Sequence, residues 1–203
     1  MCGRPPRCAQ ALSPHGSPLD LIPFGGIEER GNEIVWPPDQ SIVMSVAGYR
    51  DEFTAAQEVE IAPGFVVRVA SLPGLAILKF LAWVDRGAED PKDAIDLGTL
   101  LRRYDAAGNE DRLFGEELSL LEALNYHVDL AGPRLLGRDA ARVLAPATRA
   151  RVLALLDDVT LRDRLGSDMS RAFHTAEDSV AEAAALIAQF QAGLRDLPRA
   201  GSG

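Results

Sequence analysis

The chain has 203 residues, 47% of them hydrophobic and 25% charged, enough apolar material for one substantial core or for one core with a helical annex. A formal charge of -9 excludes a broad electrostatic surface for a nucleic-acid backbone, so such a partner would need a local basic groove. No apolar run approaches the ~18 residues of a membrane span and the start lacks the apolar core of a signal peptide, so a cytoplasmic protein with no membrane partner is expected.

Residues 1 to 17, "MCGRPPRCAQALSPHGS", combine prolines and glycines with no hydrophobic period and are expected to be disordered or a non-native start. Cys2 and Cys8 within them read as two incidental thiols, neither a disulfide framework nor a zinc site. "PLDLIPFGG" reads as a strand over 19 to 24. A loop is expected through "GGIEERGNEIVWPPDQ", because Pro37 and Pro38 forbid regular structure. "SIVMSVAG" reads as a short strand and "YRDEFTAAQ" as a short helix. "EVEIAPGFVVRVAS" alternates apolar and polar residues about an Ala62-Pro63-Gly64 turn, the pattern of a β-hairpin with one wet face. Helices follow at about 72 to 86 and 91 to 104, the second with Pro91 in its first turn, and 115 to 197 carries repeated amphipathic helical runs. Strands followed by helices predict an α+β fold with an all-helical C-terminal region. The boundaries expected are 1–17, an α+β domain over 18–108 and helices over 109–203.

Three groups of residues could carry chemistry. Lys79 lies in the middle of a helix that is apolar nearly all round, so its ammonium must snorkel to a surface or meet an anion. Arg86, two turns along the same face, could line a phosphate pocket with it. In "PKDAIDL", Lys92, Asp93 and Asp96 open a helix, with Lys92 and Asp96 spaced to pair; the alternative is a well-capped surface helix. Asp20 sits among Leu19, Leu21, Ile22 and Phe24, where a half-buried carboxylate could face solvent, satisfy donors in the Gly-Gly loop or bind a divalent metal with other carboxylates. His15, His127 and His174 lack any nucleophile or metal-ligand spacing and read as packing or surface residues. "LLGRDAARV" looks like a helix start, with Asp139 in the turn.

"LDLIPFGGIE", "WPPD", "VASLPGLAILKFLAWVDR", "KDAIDLGTLLRRY" and "LLGRDAARVL", in that order, resemble bacterial nucleotidyltransferases of the AbiEii/AbiGii toxin kind, relatives of the DNA polymerase β superfamily. The resemblance implies a nucleotidyltransferase-type mixed sheet with helices and magnesium-dependent transfer of a nucleoside monophosphate from a nucleoside triphosphate to an acceptor. It also implies a toxin with an antitoxin partner. The acceptor stays open among tRNA, another protein and a small molecule. By the same resemblance Asp20 is a metal-side catalytic carboxylate, Lys79 meets the triphosphate, and Lys92 with Asp93 lines the same cleft, Arg86 beside them. The family's opening Gly-Ser and Asp-x-Asp motif does not precede Asp20. A chain truncated at its N-terminus and impaired in catalysis is therefore expected, with a non-catalytic protein that binds a partner through its helices as the alternative.

Overall fold

The structure, a computed structural model, describes residues 9–28, 32–36, 42–173 and 179–196. Short strands precede a helical body, as an α+β fold requires. The strands are β1 (Ala9–Leu12), β2 (Pro18–Leu21), β3 (Glu33–Trp36), β4 (Ile42–Ser45), β5 (Gln57–Ala62) and β6 (Phe65–Val69), with α1 (Tyr49–Ala55) between β4 and β5. They pair in sequence order into three separate antiparallel ribbons, β1 with β2, β3 with β4 and β5 with β6. The larger helices are α2 (Leu72–Arg86), α3 (Lys92–Arg103), α6 (Val128–Val143), α7 (Pro146–Asp157), α8 (Val159–Met169) and α9 (Ser179–Arg195), with the short α4 (Glu110–Phe114) and α5 (Leu118–Ala123) between α3 and α6.

Four local readings change. Ala9–Leu12, inside the stretch expected to lack order, is a strand in register with β2, Gln10 opposite Asp20. Cys2, Cys8 and His174 lie outside the described residues. Glu33–Trp36, expected as loop, pairs with β4, because the prolines that argued against structure come only after Trp36. Asp139 falls deep inside α6 instead of at its start, since that helix begins at Val128 and carries Pro133 in its interior. β2 is exposed along its whole length, Leu19 at 48% and Leu21 at 56%, so Asp20 does not stand in a half-buried strand.

The β5–β6 hairpin forms where the alternation places it, but both of its faces are exposed, with Val67 alone half-buried. Arg68, on the charged face with Glu58 and Glu60, stacks over the Phe53 ring of α1 at 4.7 Å. On the apolar face Val59, Ile61, Phe65 and Val69 are exposed and Val67 is half-buried.

The core is helical. α2 starts at Ser71, whose side chain accepts from Gly74 N at 3.1 Å, with Pro73 in the first turn where a missing N–H costs nothing. Its residues Ala76, Ile77, Phe80, Leu81 and Trp83 are buried against α3, α6, α1 and β4. Trp83 donates its indole N–H to Asp168 of α8 at 3.0 Å, so the largest core side chain also satisfies its polar atom. α6 and α9 form the closest helix pair, crossing at Gly137 and Gly193 with no room for a β-carbon on either. Among the described residues no helix is long and apolar enough to cross a membrane.

Candidate functional site

The site begins with two helices whose facing surfaces carry opposite charges. α2 presents Lys79 and, two turns later, Arg86; the first turns of α3 present Asp93 and Asp96. Lys79 Nζ donates to Asp96 Oδ2 at 2.6 Å and to Asp93 Oδ1 at 3.1 Å. Arg86 donates through Nε to the other Asp93 oxygen at 2.7 Å, with its Nη2 2.6 Å from the same atom. Asp93 is buried and divides its oxygens between the two cations. Asp96, with 38% of its side chain exposed, stands on the rim.

Lys79 resolves its burial both ways the sequence left open. Its head keeps a quarter of its side chain exposed and meets two carboxylates. Burial alone would lower its pKa, but the hydrogen bonds and charges of Asp96 and Asp93 outweigh that and hold it above the ordinary lysine value. It is a firmly charged ammonium.

The structure thus brings Lys79, Arg86 and Asp93 together. Lys92, one residue before Asp93, is exposed and does not pair with Asp96, whose oxygen is taken by Lys79; its backbone N–H bonds Asp90 at 2.9 Å. Asp20 lies apart on the exposed β2 strand. Beyond that strand, Phe24 packs on Tyr49 and Phe53, at centroid distances of 5.9 and 5.5 Å, and ties the segment to α1.

Two buried acidic centres escaped the sequence reading. Glu52 of α1 accepts from the backbone N–H and, at 3.1 Å, from the hydroxyl of Ser71, so it braces the start of α2. Its neighbour Asp51 accepts from Ala145 N at the start of α7, so adjacent acids on one short helix hold the ends of two others. Asp139 takes the Tyr104 hydroxyl at 2.6 Å, a fork from Arg112 at 2.9 and 3.0 Å, and a further bond from Arg142. Burial first, then the hydrogen bond to Asp139 and its charge, drive the Tyr104 hydroxyl far above its ordinary pKa, so it stays protonated. The available sign was the four-residue spacing of Arg134, Arg138 and Arg142, which aligns them on one face of α6.

A sequence profile described as nucleotidyl transferase AbiEii toxin, type IV toxin–antitoxin system, matches residues 24–190. The chain belongs to this family. The AbiEii match takes in Lys79, Arg86, Lys92 and Asp93, while Asp20 precedes it. No curated protein and no solved structure matches the chain.

Nucleotidyl transfer calls for a divalent metal, and the carboxylates of the Lys79 cluster do not fit one. Both oxygens of Asp93 are bound by cations and Asp96 holds Lys79, which leaves no set of free hard donors there. Among the described residues no group of three or more His, Cys, Asp or Glu side chains could hold a metal ion.

Proposed function

We propose that this chain handles the nucleoside triphosphate of a nucleotidyltransferase toxin, with Lys79 and Arg86 as the phosphate-binding cations and Lys92 at the rim. In the reaction, an acceptor displaces pyrophosphate and takes the nucleoside monophosphate; tRNA is among the acceptors to test. The observation that supports this reading is that both cations are held on buried Asp93 while part of each side chain stays exposed, 25% of Lys79 and 41% of Arg86. Asp93, expected as a catalytic carboxylate, acts on this geometry by holding the cations in place. Asp20 as a metal-side carboxylate, a cytoplasmic location and an antitoxin partner belong to the same proposal.

With no Asp-x-Asp ahead of Asp20, these 203 residues by themselves are proposed to bind nucleotide but transfer it poorly. The test is calorimetric titration of the chain with a nonhydrolysable triphosphate, with and without magnesium, beside a transfer assay with α-labelled triphosphate. Saturable binding that weakens about tenfold in Lys79→Ala supports the reading. No saturable binding at millimolar nucleotide sinks it.

A second reading, a partner-binding protein without catalysis, is favoured by one observation, the exposed apolar side chains Val59, Ile61, Phe65 and Val69 of β5–β6. Co-purification of an encoded antitoxin that is lost in Ile61→Lys and unchanged in Lys79→Ala would support it.

A further inference from the structure

A second groove, sharing no lining residue with the Lys79 cluster, runs between the start of α2 and the helical body and has a volume of about 530 Å³. That is within the range of small-ligand pockets, roughly 300–1,000 Å³. Leu72 and Pro73 form one wall, and Tyr104, Asn109, Arg112 and Arg142 stand across from them.

The groove's lining carries more cations than carboxylates. Asp139 carries two guanidinium groups, Arg112 and Arg142, and is saturated by them and by the Tyr104 hydroxyl. The arginine network continues along α6: Arg138 bonds Glu117 at 2.6 Å and Asp196 at 2.5 Å, and Arg134 bonds Asp196 at 3.2 Å. Four arginines thus face three carboxylates, and the groove itself holds two of the arginines against one carboxylate. In a protein of formal charge -9, the lining itself thus carries one more cation than carboxylate, with buried Glu52 held behind the lining Ser71.

The surplus also has donors to spare. Among the described residues Arg142 donates to Asp139 and forms a longer ion pair with Glu117 at 3.6 Å. With 43% of its side chain exposed, its guanidinium reaches solvent at the groove. Arg112, on α4, spends its two terminal nitrogens on Asp139 and Asn109 and leaves Nε–H unassigned. Donors offered by two guanidiniums on different helices suit a tetrahedral anion with several oxygens better than a planar carboxylate, which one fork saturates. The wall of Leu72 and Pro73 suits an apolar body attached to it.

We infer that this groove is a binding site for a small phosphate-bearing organic molecule of about mononucleotide size, its phosphate on Arg142 and Arg112 and its body against Leu72 and Pro73. As a second phosphate site beside the Lys79 cluster it suits the acceptor of the transfer; that use rests on the proposed function, while the binding does not.

The test is calorimetric titration of the full chain with 5′-AMP, adenosine and inorganic phosphate. AMP is expected to bind saturably, with adenosine and phosphate each weaker by about tenfold or more, because each lacks one half of the contact. Arg142→Gln should weaken AMP by about tenfold. Ala107→Trp, at an exposed lining position, should block AMP without lowering the melting temperature, which guards against a folding defect in the first variant. Lys79→Ala should leave AMP binding intact even where it abolishes triphosphate binding, so the two proposals fail separately. AMP binding that is lost in Lys79→Ala and kept in both groove variants, or no saturable binding at millimolar AMP, overturns the inference.

Discussion

The carboxylate of Glu52 fills the space that a β-carbon on Gly74 would need: an ideal Cβ there falls 1.2 Å from Glu52 Oε2. α1 can lay an acid on the first turn of α2 only because residue 74 has no side chain. The pair fixes the strand-bearing segment to the helical body just where the groove opens.

Gly74→Ala should therefore act by expelling Glu52, and Glu52→Ala by removing it. Each is expected to cost about 1–3 kcal/mol through the lost brace at the start of α2. In combination they should cost little more than Glu52→Ala alone, because the added methyl then enters vacated space. Urea unfolding of the two single variants and the double variant checks this, and full additivity would refute the shared mechanism.

Acid and alkali should move two carboxylates in opposite directions. Burial raises Glu52 above its ordinary value, although the Ser71 N–H and hydroxyl pull it partly back. Its fold binds the proton more tightly than the unfolded chain, so this contribution is complete below the unfolded value near 4.5 and is lost as pH rises through the folded one. Burial would raise Asp196 too, but hydrogen bonds and charge from Arg134 and Arg138 outweigh it and hold it low. Its contribution is present above the unfolded value near 3.8 and is lost as pH falls through the folded one. Compared at about pH 7 and about pH 3, Glu52→Gln should cost more at the acid end and Asp196→Asn more at the neutral end.

The α6–α9 crossing should tolerate no β-carbon. A Cβ on Gly137 would lie 2.2 Å from the Phe190 carbonyl oxygen, and one on Gly193 2.0 Å from that of Arg134. Both obstacles are backbone, so the helices must separate and unpack core contacts. Either alanine variant is expected to lose about 2–4 kcal/mol, seen as a lowered melting temperature. A change within about 0.5 kcal/mol would mean the helices can part without cost.

Asp93 and Asp96 should differ although both hold Lys79. Asp93→Asn removes a buried charge shared by two cations and is expected to cost about 1–2 kcal/mol, discounted from the fully buried case because Lys79 and Arg86 reach solvent. Asp96→Asn, at the rim, should cost under about 1 kcal/mol. Equal losses in denaturant titration would remove the distinction between anchor and rim.

Much of the site was legible because it is local. The run from Leu72 to Arg86 dictates a helix, and seven-residue spacing puts Lys79 and Arg86 on one side of it whatever surrounds them. "PKDAIDL" likewise puts Asp93 and Asp96 within one turn of each other. That the two helices face each other, and that Asp96 pairs with Lys79 instead of Lys92, depends on how α2 and α3 pack.

What depended on distance along the chain could not be read from it. Alternation in β5 and β6 foretold a hairpin with one wet face, but a pattern does not supply cover for the other; apart from half-buried Val67 both faces are exposed. Nothing local marks Glu52 as buried; Ser71, nineteen residues on, closes over it. Composition and local spacing by themselves determined the α+β class, the main helices and the charges each helix face carries. Only the tertiary structure decided which charges meet, which carboxylates are buried and where positive charge is left over, because each is settled by contacts between segments whose separation no local pattern encodes.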